Sequence, residues 1–190
     1  MPRGKFCINL TWIGTALALS CGLASGQQAL DLQGHATDPF ATASGKPVVL
    51  VFLRRDCPVS GRYAPVVQKI SRQYADRASF WLVYPDSKDT PQEIRNSVAA
   101  YGYELPVLRD PKHELVKLSR VQITPEVAVF DRDRHLVYDG RIDDLYIDPS
   151  RARPAPTTHE LQNAITAAVA RTALPQKEIR GVGCYISDVE

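Results

Sequence analysis

The chain has 190 residues and a mass of 21.0 kDa, the size of one domain. An apolar fraction of 44%, with 14 Pro and 11 Gly, excludes a disordered or low-complexity chain. Lys and Arg number 23 against 21 Asp and Glu, and a net charge of +2 gives no electrostatic case for a nucleic-acid partner.

Residues 1–26 have the layout of a secretory signal peptide. Arg3 and Lys5 form a basic start, no charge follows up to Ala24, and Ala24, Ser25 and Gly26 give a small-residue exit. Cleavage is expected after Gly26. A competing site is LALSC at Leu17–Cys21, which resembles a lipoprotein box; there Cys21 would be lipidated, and only then would the protein be held at a membrane. A retained anchor is the third alternative. Removal after Gly26 takes Arg3, Lys5, Cys7 and Cys21. The mature domain, 27–190, then has as many basic as acidic residues and keeps two cysteines, Cys57 and Cys184. Export, periplasmic or otherwise extracytoplasmic, implies an oxidising compartment in which two thiols can pair.

PVVLVFL (Pro47–Leu53) is an apolar run rich in β-branched residues, the pattern of a strand buried on both faces. Val59, Tyr63, Val66, Val67, Ile70 and Tyr74 recur at helical spacing after Cys57, with Pro58 fitting a first turn and Pro65 predicting a kink. FWLVY (Phe80–Tyr84) reads as a second buried strand. Thr90-Pro91-Gln92-Glu93 predicts a capping box opening a helix striped by Ile94, Val98 and Tyr101. LPVL (Leu105–Leu108) is a short strand, and Asp110-Pro111 opens a short helix. EVAVFD (Glu126–Asp131) and HLVYDGRI (His135–Ile142) predict an antiparallel hairpin. A proline-rich surface loop spans Pro149–Thr158, and Thr157 with Glu160 reads as a second capping box before the last helix. The alternation of strands and helices implies an α/β fold with helices on both faces of the sheet, which the hairpin makes mixed.

Cys57 follows a buried strand and opens a helix, where backbone N–H groups and the helix dipole favour an anion. That position is expected to lower its thiol pKa from about 8.5. Arg54 and Arg55 flank it, and strand alternation turns at least one of them away from the thiol. The alternative is an inert buried cysteine.

FLRRDCPVSGRYAP resembles the active-site turn of the thioredoxin-like superfamily, in its redoxin branch (AhpC/TSA-type) of exported bacterial proteins. ITPEVAVFD resembles the segment where that superfamily keeps a cis-proline opposite the cysteine. WLVYPD, RDPKHELVKL, RIDD, RARPAP and GCYI are also similar to redoxin modules, some of which are fused to c-type cytochromes. The resemblance implies a thioredoxin-like fold, a central mixed sheet with helices on both faces. It also implies thiol–disulfide exchange with Cys57 as nucleophile, Thr124-Pro125 shaping the substrate groove and Ser60 donating a hydrogen bond to the Cys57 sulfur. The implied substrate is a protein or small-molecule thiol or disulfide. No cofactor follows, since the chain lacks a C-x-x-C-H haem motif.

The chain departs from the family pattern at two places. Ser60 stands where a thioredoxin has its second cysteine, so no dithiol cycle operates within the turn. Leu50 and Arg54 stand where the peroxidase pattern has Pro and Thr or Ser. Cys184, in GVGCYI, is therefore open to three roles: resolving Cys57, bridging it permanently, or joining it in a Cu(I) site of the kind Sco-type chaperones build. A permanent bridge is worth about 4–5 kcal/mol in the loop-entropy account. A redox-silent module docking on a cytochrome or respiratory partner is a further alternative. His35, His113, His135 and His159 read as surface or capping residues, Arg141, Asp143 and Asp144 as a solvated edge, and Tyr84 and Asp86 as bordering the active face.

Overall fold

The computed structural model describes Met1, residues 29–175 and residues 178–187. The expected signal peptide, both cleavage sites, Cys7 and Cys21 lie outside the described residues, Met1 apart. Among the described residues no helix is long and apolar enough to cross a membrane.

In chain order the elements are β1 (Ala29–Leu30), β2 (Ala36–Thr37), β3 (Val48–Phe52), α1 (Pro58–Arg62), α2 (Ala64–Tyr74), β4 (Ser79–Tyr84), α3 (Pro91–Ala100), β5 (Val107–Arg109) and α4 (Glu114–Ser119). They continue with β6 (Ile123–Thr124), β7 (Glu126–Phe130), β8 (Leu136–Gly140), β9 (Tyr146–Asp148), β10 (Arg151–Ala152), α5 (Glu160–Ala170), β11 (Glu178–Ile179) and β12 (Cys184–Tyr185). The main sheet runs β11-β8-β7-β3-β4-β5-β1-β2. β3, β4 and β5 are parallel neighbours, β7 pairs with β3 antiparallel, and β7–β8 is the hairpin expected from the sequence. The sheet is thus mixed.

Every residue of β3 is buried, because both faces of the sheet are covered. Val49, Val51, Leu82 and Val129 face α2 and α5 through Val67, Ile70, Leu161 and Ile165, with Ile94 of α3 in the same cluster. Leu50, Phe52, Leu108 and Phe130 pack with Leu115 and Val116 of α4 and with Phe40. The Phe40 and Phe130 rings meet edge-on at 5.0 Å.

The proline at 65 interrupts the helix after Cys57 more completely than a kink. Pro65 lacks an N–H, so α1 stops at Arg62 and α2 restarts with Pro65 in its first turn. The capping box at Thr90 and Glu93 forms as read. The one at Thr157 and Glu160 does not. α5 starts at Glu160 with His159 as its cap, and Thr157 donates both its N–H and its hydroxyl to Asp144. Asp144 takes the Thr157 N–H that a capping box would give to Glu160.

Three pairings were not legible in the sequence. They are the β1–β2 hairpin on the β5 edge, β11 running parallel to β8, and β12 antiparallel to β6. The last two carry the tail back across the sheet to the site.

Candidate active site

Cys57 stands where the chain leaves β3 and enters α1. It caps α1 in an extended conformation (φ −91°, ψ 112°) and is 1% exposed. Its thiol donates to the Thr124 carbonyl at 3.3 Å. Thr124 precedes Pro125 through a cis peptide bond, so the β3–α1 turn and the β6–β7 junction face one another across this contact.

Cys184 completes the cluster. Antiparallel pairing sets it opposite Thr124, whose hydroxyl donates to the Cys184 carbonyl at 3.2 Å. Cys57 and Cys184 are both free thiols that meet at Thr124, and each shifts the titration of the other. Burial alone would raise the Cys57 pKa. Hydrogen bonds to its sulfur from the Cys184 thiol, from the backbone and hydroxyl of Ser60 and from the Val59 backbone outweigh that and lower it. Burial, the Cys57 hydrogen bond and the Cys57 charge together raise the Cys184 pKa, against a favourable Arg54. Of the two thiols, Cys57 is therefore the one that gives up its proton first, and Cys184 the one that keeps it. Ser60 is buried, and its Oγ also accepts the Arg54 N–H at 3.4 Å, which fixes the hydroxyl beside Cys57.

The two arginines of the turn diverge. Arg54 donates to the Tyr185 carbonyl at 3.3 Å and pairs with Asp56 and Asp86, so it ties the turn to the tail. Arg55 points to Asp89 and Glu93. α1 is held from outside by Tyr101, whose ring lies so close to Gly61 that any Cβ there would overlap it.

The tail is seated by residues whose role sequence reasoning missed. A Cβ at residue 183 would overlap the Thr124 carbonyl, and one at 140 would overlap Ile179. Glu126 is 0% exposed, and its carboxylate accepts Gly181 N–H at 2.8 Å, Gln122 N–H at 3.0 Å and Ile123 N–H at 3.3 Å. Arg180 lies 3.7 Å from Glu126 and 3.8 Å from Asp139, and the Ile186 N–H donates to Gln122. The glycines flanking Cys184 were the only sequence signal for this docking. Glu126 gave none, since it reads as an ordinary strand residue.

Arg141, Asp143 and Asp144 do not form a solvated edge. Both carboxylates are buried; Asp143 accepts the Tyr63 hydroxyl at 2.6 Å, and Arg141 pairs with Glu160. Each charge has a tertiary partner that no local pattern announces. His113 is not a surface residue either. It is buried at the start of α4, and its Nε2–H donates to the Pro85 carbonyl at 3.0 Å. His35, His135 and His159 are exposed. Tyr84 is buried. Among the described residues, the one cluster of three or more metal-ligating side chains is Asp131, Asp133 and His135, on the β7–β8 turn away from both cysteines.

A family model described as Thioredoxin-like matches residues 45–136. The fold is shared with an uncharacterised conserved protein of Geobacillus kaustophilus, at TM-score 0.69 and 23% identity, covering 84% of this chain and 86% of that one. A hypothetical protein of Sinorhizobium meliloti superposes at TM-score 0.66 with 22% identity, over 84% and 88% of the two chains. A secreted disulfide oxidoreductase of Mycobacterium tuberculosis does so at TM-score 0.51 with 19% identity, over 76% and 94%. Comparison with curated proteins gives no sequence match. Residues 45–136 are thus similar to the Thioredoxin-like family, and the described chain shares the fold of these proteins.

Proposed function

We propose that this protein is an exported thiol–disulfide oxidoreductase whose working pair is Cys57 and Cys184. The observation that carries this reading is that two free thiols from distant segments meet at Thr124, Cys57 through its hydrogen bond to the Thr124 carbonyl and Cys184 through strand pairing, with the Cys57 pKa lowered and the Cys184 pKa raised. A low-pKa sulfur is the better leaving group of a disulfide, and a thiolate is the form that attacks one. Ser60 stabilises the Cys57 thiolate through its hydroxyl and N–H. Thr124 and Pro125 form the wall facing it and hold the Cys184 strand. The pair thereby replaces the dithiol that Ser60 removes from the turn. The secreted disulfide oxidoreductase that shares the fold supports the activity class and export, while cleavage after Gly26 rests on the layout of residues 1–26. A thiol or disulfide substrate needs no cofactor here.

In catalysis a two-electron exchange converts the two thiols to one disulfide, and a substrate disulfide to two thiols, or the reverse. The test is a thiol count on the folded chain before and after mild oxidation, combined with exchange against a model disulfide. Loss of both thiols together, and loss of exchange in Cys57→Ser, are expected. Unchanged exchange in Cys57→Ser would sink the reading.

A further inference from the structure

We propose that external thiols enter and leave this site at Cys184, so that Cys57 exchanges electrons with Cys184 alone. The inference rests on the preceding reading that the two cysteines form a disulfide. Its own ground is access. Cys57 is 1% exposed, enclosed by Val59 and Ser60 on the helix side and by Thr124 and Cys184 on the other. Cys184 is half-buried on a two-residue strand, beside Tyr185, which is 72% exposed.

Displacement at sulfur runs in line with the bond that breaks. To reach Cys57 in an oxidised pair, a nucleophile must come from the side away from Cys184, and the 1% exposure of Cys57 leaves it no open approach. Cys184, half-buried next to the exposed Tyr185, is the sulfur of the two that solvent reaches. The sulfur attacked is set by access as well as by leaving-group acidity. Both factors agree here. The hydrogen-bond donors around Cys57, Val59 N–H, Ser60 N–H and Ser60 hydroxyl, receive the charge that appears when Cys57 departs.

The steps balance as follows. A substrate thiolate bonds to Cys184 Sγ, the Cys57–Cys184 bond breaks, and Cys57 leaves as thiolate. A second substrate thiolate bonds to the substrate sulfur of that mixed disulfide, and Cys184 leaves and takes a proton from water. Two electrons pass from the substrate thiols to the protein. In the opposite direction, Cys184 passes its proton to the Cys57 thiolate and attacks a substrate disulfide, one substrate thiolate leaves and takes that proton from Cys57, and Cys57 then attacks Cys184 Sγ to release the second substrate thiolate. Ordinary nucleophile and resolver are thus exchanged: the buried, acidic thiol resolves and the tail thiol meets the substrate.

The experiment uses the oxidised wild-type chain with substoichiometric glutathione as the probe thiol. The reaction is quenched in acid at successive short times, free thiols are blocked with N-ethylmaleimide, and peptides are mapped by mass spectrometry. Extrapolated to zero time, glutathione is expected on Cys184 and maleimide on Cys57, by about ten-fold or more over the reverse pattern. Glutathione on Cys57 at zero time, or equal amounts on both, overturns the inference. Failure of the chain to lose two thiols on oxidation is a separate result, and it counts against the oxidoreductase reading itself.

Discussion

At the scale of single residues, the site depends on side chains that are missing as much as on those present. Gly183 lies flat against the Thr124 carbonyl with no room for a Cβ. Gly183→Ala is therefore expected to lift the tail while leaving the core folded, because the tail lies outside both apolar clusters except for its edge contacts. Far-UV circular dichroism should be preserved, and the thiol count after mild oxidation should stay at two. Formation of the disulfide at the wild-type rate would contradict the docking described above. Cys57, Ser60, Thr124 and Pro125 were legible in the sequence because each belongs to a contiguous motif. Cys184 was read as a partner for Cys57, but what seats it there was not legible, because the seat is built by Glu126, Gly181 and Gly183 acting from two distant segments. Asp143 and Asp144 were misread for the same reason. A run of charge looks solvated until Tyr63 and Thr157 arrive from elsewhere to satisfy it.

At the scale of elements, the break between α1 and α2 closes the short helix that Cys57 opens. Tyr63 sits at that break, capping one helix and opening the next. Its hydroxyl reaches Asp143, and its ring packs against Tyr146 at 5.3 Å. Burial, then the Asp143 hydrogen bond, raises its pKa, so it stays a donor throughout the ordinary pH range. Tyr63→Phe keeps the ring and leaves Asp143 Oδ1 with the Leu145 N–H alone. A loss of about 1–3 kcal/mol is expected in urea unfolding, the cost of an underpaired buried acceptor. No change in the midpoint would mean that the hydroxyl does not hold the junction. The sequence signalled this break through Pro65. It signalled the start of α5 wrongly, because the capping residues there had a competing tertiary acceptor in Asp144.

At the scale of the whole molecule, one carboxylate ties stability to pH. Asp139 on β8 is buried, and its Oδ2 has no hydrogen-bond partner. Burial first, and the Glu178 charge second, raise its pKa to about 6 against the opposing Arg180 and Arg120. A carboxyl raised in the folded state binds its proton more tightly there than in the unfolded chain. Its contribution to stability is therefore greatest below the ordinary value of 3.8, falls as pH rises through the interval up to about 6, and stays unfavourable above it. Asp139→Asn should flatten that part of the stability–pH curve and stabilise the chain at pH 7 by on the order of 2 kcal/mol. Chemical denaturation at pH 5 and pH 7 for both chains measures this. Equal pH dependence in the two would refute it.

The alternation of β-branched runs with helical stripes made the layered architecture readable from the sequence, since each layer is defined locally. The placement of the tail was not readable, because two-residue strands carry no periodicity. That tail has one more consequence. β11 occupies the outer side of β8 at Asp139 and Gly140, a stretch of sheet margin that would otherwise offer its backbone to another chain. The segment that delivers the second thiol is thus also a guard on that margin. In the proposed oxidised form, a bond between Cys57 and Cys184 would clasp that guard, whereas with both thiols free the guard is held by the backbone and carboxylate contacts of the tail.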